Sequence, residues 1–362
     1  MSVSADQIAR LRLIRSDNIG PVTYFHLLAR FGSAQAAIDA IPDLAARGGG
    51  RPPRLAGAAE IEREIERVAA FGARYLFLGQ ESYPALLAEV EAAPPALIVK
   101  GDLGLVDKAS IALVGARNAS AAACRFARQL AHALGESGAV IVSGLARGID
   151  SAAHDGALDS GTVAVIAGGI DVVYPPENAE RQRVIAERGL LIAEMPPGVE
   201  PRARHFPYRN RIIAGLALGT VVIEAAPRSG SLITARRAAD YGREVMAVPG
   251  SPLDPRAQGC NLLIREGATL VQSAEDVLEA IRPFEVRVVR QPRPVYGATE
   301  GGADADEAAR RAVQDLLGPT PVQVDELVRQ SALSPAAVQT ILLELELAGR
   351  LERHAGGRVA LA

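Results

Sequence analysis

Tryptophan is absent from these 362 residues, cysteine occurs only as Cys124 and Cys260, and lysine only as Lys100 and Lys108. Two scattered cysteines exclude a disulfide framework or a cysteine-based zinc site and suit a reducing compartment. Aromatics make up 4% of the chain against 49% hydrophobic residues, so the core must be built from Ala, Leu, Val and Ile. No apolar run is long enough for a membrane span; the longest, 212–223, is bracketed by Arg211 and Glu224. No signal-peptide core follows the N-terminus, and a soluble, cytoplasmic protein is expected. The net charge of −3 offers a polyanion no global field. Any nucleic-acid site must therefore be local, and 202–211, with four arginines, one histidine and no acid, is such a patch. The other 37 of the 39 basic residues are arginines, which reads mainly as compositional bias.

A chain of this length is expected to hold two or three domains. Residues 1–75 read as small helices, with Asn18-Ile19-Gly20-Pro21 as a tight turn and Ser33 as an N-cap. The pattern resembles a degenerate helix-hairpin-helix in which Asn18 replaces the first glycine. A packing or docking role is favoured over DNA contact. Residues 76–285 alternate apolar strands (96–99, 111–114, 139–142, 162–166, 190–192, 220–224, 244–248, 269–271) with helical patterns. Near-continuous apolar strands with crossover helices predict an α/β fold, a doubly wound parallel sheet with ligands at the carboxyl ends of its strands. Residues 286–306, rich in Pro and Gly, read as a linker. Residues 307–362 read as a winged helix, whose third helix starts at Ser334-Pro335 and carries Glu344 and Glu346 but no Lys or Arg. A groove-reading helix needs cationic or amide side chains on its exposed face, so protein docking is favoured here.

The loops after the strands are rich in anion receptors. Gly115-Ala116-Arg117 ends one strand and projects an arginine. Ser143-Gly144-Leu145-Ala146-Arg147-Gly148-Ile149-Asp150 ends the next, with Asp150 expected to organise the loop. Ala167-Gly168-Gly169 is a third relaxed turn. Arg204, Phe206, Arg209, Asn210 and Arg211 open an apolar helix, and Ser229, Gly230 and Ser231 open another. Helix openings present free N–H groups and a positive dipole end to phosphate. Arginine adds bidentate contacts, and Phe206 a face for a base. Missing are the dinucleotide fingerprint, the Walker lysine, a nucleophile elbow, HExxH and any metal-holding carboxylate cluster. His154 and His205 have no orienting partner in sequence and read as structural. The balance argues for binding over catalysis, with no cofactor and no metal.

Six segments in order, Ser143-Gly-x-Ala-x-Gly-Ile-Asp150, Tyr174-Pro175, Phe206-Pro-x-Arg-Asn-Arg-Ile-Ile-Ala-Gly215, Ser229-Gly-Ser-Leu-Ile-Thr-Ala235, Val248-Pro-Gly250 and Gly259-Cys-Asn-x-Leu-Ile264, resemble the DprA/Smf DNA-processing family of bacteria. The resemblance implies an extended Rossmann-like domain between an N-terminal sterile-alpha-motif-like module and a C-terminal winged helix. It also implies a non-enzymatic protein that binds and protects incoming single-stranded DNA in natural transformation. Such a protein recruits RecA, helps displace single-strand-binding protein and works as a homodimer. Carried over by motif, Gly115 and Arg117 with Arg204, Phe206, Arg209, Asn210 and Arg211 would line the DNA site. Ser143, Gly144, Gly148, Ser229, Gly230 and Ser231 would add donors, and Leu262, Leu263, Ile264 and Leu270 are candidates for the dimer face. Ala116 and Ala167 depart from the family pattern, where Ser and Gly are common, without removing a charge. Two alternatives stay open: a Rossmann-like nucleotide hydrolase, for which Glu224 lacks the expected neighbouring loop, and a winged-helix transcription regulator.

Overall fold

The computed structural model describes residues 3–288, 305–354 and 356–362. The expected linker 286–306 lies largely outside them. What is described shortens it, because a helix runs on to Val288 and Asp306 caps the next.

Four helices come first: α1 (Ala5–Ile14), α2 (Pro21–Phe31), α3 (Ala34–Arg47) and α4 (Ala58–Ala70). Ser4 opens α1 with a capping box to Gln7, and Ser33 caps α3 through the Ala36 N–H. Asn18, in the turn before α2, has φ +60°, the left-handed conformation a glycine would take and that Asn tolerates. There follow β1 (Arg74–Phe77), α5 (Ala85–Ala88), β2 (Ala96–Gly101), β3 (Ser110–Gly115), α6 (Ala121–Glu136), β4 (Val140–Ser143) and α7 (Ile149–Ala157). Then come β5 (Thr162–Gly169), α8 (Ala179–Arg188), β6 (Leu190–Met195), α9 (His205–Leu216) and β7 (Gly219–Ile223). The large unit closes with α10 (Ser231–Asp240), β8 (Glu244–Ala247), α11 (Gln258–Arg265), β9 (Thr269–Leu270) and α12 (Ala274–Val288). The C-terminal segment holds α13 (Glu307–Asp315), β10 (Val322–Gln323), α14 (Val324–Ser331), α15 (Pro335–Leu347), β11 (Leu351–His354) and β12 (Arg358–Leu361).

The chain divides into two compact units, 66–294 and a unit formed by 1–65 together with 295–362. In the large unit nine strands pair in the order β1-β2-β6-β5-β4-β3-β7-β8-β9. From β6 to β9 all pairings are parallel, while β1–β2 and β2–β6 are antiparallel. The α/β class is as expected. The antiparallel edge is not, and the boundary placed at 75/76 falls inside β1. Strands β3, β4, β5 and β7 are buried on both faces because helices cover both sides, which is why they read as unbroken apolar runs. The chain winds outward from β3 through β4, β5 and β6, then returns to place β7 on the other side of β3. The carboxyl ends around β3 thus form the topological switch point, where α/β sheets place their ligands.

In the second unit the N-terminal helices and the C-terminal winged-helix segment pack together. Leu343 and Leu347 of α15 lie in one core with Leu13, Tyr24, Leu27, Ile38, Ile41 and Leu44. Arg30 donates to Thr340 Oγ1 at 3.0 Å, and Arg350 to the Gly48 carbonyl at 3.0 Å. The approach needs glycine: a Cβ on Gly48 would meet the Glu344 backbone, and one on Gly50 would lie 2.6 Å from Ala348 Cβ. Glu344 is 1% exposed and bound by Arg310 at 2.8 and 3.0 Å. Glu346 pairs with Arg353 at 2.9 Å. The acids of α15 are neutralised inside the unit, and the docking partner of α15 is the chain's own N-terminal helices.

Candidate nucleic-acid interface

Four strand ends converge at the switch point. The turn after β3 carries Arg117, the loop after β4 carries Gly144–Gly148, the loop after β5 carries Tyr174, and Glu224 follows β7. A pocket of about 210 Å³ opens there, lined by Arg117, Gly144, Arg147, Tyr174, Phe206 and Arg209, among others.

Arg117 is exposed, and its guanidinium lies over the Phe206 ring, 4.7 Å from the centroid. Phe206 packs in turn against Tyr174, with ring centroids 5.8 Å apart and planes tilted by 49°. The array fixes a cation on an aromatic face, at the geometry where such contacts attract. Tyr174 is 43% exposed at the rim. Sequence reasoning does not place it in the site; the signal it carries is an aromatic in a loop at a strand's carboxyl end. Arg147, also missed, faces Glu177 at 3.7 Å with both side chains more than half exposed, a pairing worth little in water.

Beneath this array the Gly144 loop is tied down from inside. Asp150 accepts from the Gly144 and Ala146 N–H groups at 3.2 and 3.3 Å. Its organising role is as expected, and it lies in the first turn of α7. Burial pushes its carboxyl upward, opposed by Arg209 and by those amides. Arg209 is itself buried and donates to the Gly144 carbonyl and, at 2.7 Å, to that of Val165. Burial draws its guanidinium down to about 10, still charged at neutral pH. Gly148, at φ +75°, lets the loop close onto the Ala116 carbonyl; a side chain would strike it.

Several residues expected to line the site serve elsewhere. Arg211 is buried, bonded to the Ala92 carbonyl at 2.9 Å and paired with Glu194, so its charge is spent within the fold. The buried Ser143 hydroxyl donates to the Leu113 carbonyl at 2.6 Å and is unavailable to a ligand. Gly115 sits under Ile149 and the Ile223 carbonyl, where only glycine fits. Arg204 is exposed just before α9, and Asn210 reaches the Gly230 carbonyl at 3.3 Å, joining α9 to the Ser229–Ser231 turn. Arg204, Asn210 and that turn are not among the pocket-lining residues. Leu262, Leu263 and Ile264 are half-buried on α11, and Leu270 is 44% exposed on β9, the sheet's edge strand.

The histidines near the loops are structural in their bonding. His205 Nδ1 accepts from the Arg202 N–H at 3.3 Å; burial, then Arg204 and Arg202, lower its pKa. His154 is buried with Nδ1 2.7 Å from Thr162 Oγ1, and burial pulls it to about 3. A folded pKa depressed this far means the unfolded chain binds the proton first. His154 therefore contributes stability above about pH 6.5 that is lost as the pH falls toward 3. The stability slope in that window is expected to be shallower in His154→Gln by up to about 1.4 kcal/mol per pH unit. Denaturant unfolding at several pH values checks this, and an unchanged slope would contradict it. Among the described residues there is no group of three or more His, Cys, Asp or Glu able to hold a metal ion, and no helix long and apolar enough to cross a membrane.

Parallel strands with crossover helices and glycine-relaxed loops at their carboxyl ends define a Rossmann-like α/β protein with an N-terminal helical and a C-terminal winged-helix segment. Residues 74–282 match the family described as DNA recombination-mediator protein A. Residues 4–67 match the DprA-like N-terminal HHH domain, and 298–357 the DprA winged helix domain. The chain belongs to this DprA/Smf family of DNA-processing proteins. It is 45% identical over 222 residues to DNA processing protein DprA of Streptococcus pneumoniae, covering 61% of this chain and 77% of that one. It is 33% identical over 315 residues to Protein Smf of Synechocystis, covering 79% of each. The solved structure of the S. pneumoniae protein is similar with a TM-score of 0.62 at 36% identity, covering 77% of this chain and 98% of that one. DNA processing protein A from Helicobacter pylori, solved for its single-stranded DNA binding mode, has a TM-score of 0.53 at 27% identity, covering 59% and 97%.

Proposed function

We propose that this chain binds single-stranded DNA at the switch-point pocket and does no chemistry on it. The observation that carries the reading is the Arg117–Phe206–Tyr174 array over the Gly144 loop. It offers a fixed cation to a phosphate and an aromatic rim to a base, the combination used on unpaired strands. Glu177 is the one carboxylate among the pocket-lining residues and faces Arg147 in solvent, so nothing favours the nucleotide-hydrolase alternative. Family membership and the DNA-binding relative support extending the reading. The protein would protect incoming single strands and load RecA in transformation or recombination, helping to displace single-strand-binding protein. It would act in the cytoplasm as a homodimer through the face that includes Leu262, Leu263, Ile264 and Leu270.

Titrating a fluorescent single-stranded oligonucleotide across salt, with duplex and mononucleotide competitors, tests the core of this reading. Arg117→Ala is expected to weaken binding and to flatten the salt slope by about 0.7, the share of one phosphate contact. Phe206→Ala is expected to lose about 1–3 kcal/mol of binding. Competition by mononucleotide at equal affinity, or unchanged binding by Arg117→Ala, would overturn it.

A further inference from the structure

We propose that Glu224 is the positioning residue for the Arg117 turn, acting on the strand only through Arg117; this rests on the single-strand reading above. The four residues between β3 and the N-cap of α6 are anchored at both ends to this one residue. At the near end the Ala116 N–H donates to the Glu224 carbonyl at 2.8 Å. At the far end the Glu224 carboxylate accepts from Ser120 twice, from its N–H at 2.9 Å and from its hydroxyl at 2.8 Å. Arg117 and Asn118, exposed, stand between the two anchors. The other carboxylate oxygen meets Arg256 Nε at 3.1 Å, on a guanidinium that also pairs with Asp254 at 2.9 Å, and this ties the 251–257 loop to the same point. The Glu224 side chain is only 9% exposed.

Two further observations separate this residue from an ordinary helix cap. Its backbone has φ +55°, a conformation glycine adopts freely and glutamate rarely does. A glutamate held there needs a reason, and the paired anchors supply one. Moreover, a carboxylate placed beside a phosphate-binding arginine would, by charge alone, repel DNA. Its presence at this point is explained by what it holds. A purely electrostatic view and a positioning view then predict opposite signs when the charge is removed.

The decisive variants are Glu224→Gly, which suits the backbone angle and deletes the carboxylate, and Glu224→Gln, which keeps the shape without the charge. Both are compared with Arg117→Ala and with the Glu224→Gly/Arg117→Ala double variant, using the same oligonucleotide across salt. Glu224→Gly is expected to weaken binding by roughly three- to tenfold with a flattened salt slope, and the double variant to be no weaker than Arg117→Ala alone. Glu224→Gln is expected to weaken binding too, by less. Thermal unfolding confirms that Glu224→Gly is folded, and Glu224→Gln provides the measurement if it is not. Wild-type or tighter binding by the folded Glu224 variants beside a weakened Arg117→Ala would overturn the role given to Glu224 and leave the pocket standing. So would losses that multiply in the double variant. Wild-type binding by Arg117→Ala would instead overturn the pocket reading, and this proposal with it.

Discussion

Arg209→Ala is expected to lower the unfolding free energy of the large unit by about 3–5 kcal/mol, whereas Arg117→Ala should stay within about 0.5 kcal/mol of wild type. The two arginines belong to the same loop cluster and both approach Phe206, yet their environments differ. Arg117 is exposed and open to a ligand. Arg209 is buried, feeds two carbonyls and faces Asp150, so its removal leaves those acceptors and a buried carboxylate uncompensated. The variant should also show a pH signature. Without Arg209 the folded pKa of Asp150 rises further above the unfolded value of 3.8, so the folded state holds the proton longer. Stability is then lost as pH rises through that window, and the deficit shrinks on acidification below it. Denaturant unfolding at pH 7 and in mild acid measures both effects. A deficit under about 1 kcal/mol would show that the loop does not depend on this guanidinium.

The second large effect is expected at the other unit. Leu347→Ala should remove about 2–5 kcal/mol, and the loss should surface in α1–α3 as well as in α15. Leu347 has no exposure and shares its core with Leu13, Leu27 and Ile41. Hydrogen exchange by mass spectrometry resolves the question segment by segment. Faster exchange in residues 5–47 of the variant would show the shared core at work. Acceleration confined to 335–347 would show that the N-terminal helices stand alone.

How much of this was readable beforehand follows from which forces act locally. The central strands were legible because burial on both faces leaves unbroken apolar runs, as in 111–114 and 220–223. β1, only four residues long and passing from exposed to buried, has no such signature, and the 75/76 boundary divides it. The glycine loops at strand ends were legible as places where backbone approaches a ligand. What each arginine does there was not, since residue type is the same for Arg117, Arg209 and Arg211. The spacing held a clue: His205 and Arg209, four apart and both buried, share the inner side of α9, while Arg204 and Tyr208 share the outer. The buried pairing of Glu344 with Arg310, 34 positions away, leaves no trace in the chain. α15 did carry a warning, because Val338, Ile341, Leu342, Leu343, Leu345 and Leu347 leave it no polar side, the mark of a helix buried all round.

The shared core of the smaller unit sets an order of events at the ribosome. α3 and α15 are separated by nearly the whole intervening chain. At about 5–20 residues per second, the helices α1–α3 wait on the order of tens of seconds before Leu343 and Leu347 emerge. Throughout that interval the core that holds Ile41 and Leu44 lacks the two α15 leucines that belong to it. A ribosome that stalls between β9 and α15 would release a chain with every strand of the large sheet but without the α15 leucines of the smaller core. Helices α1–α3 leave the exit tunnel long before the two α15 leucines with which they share a core.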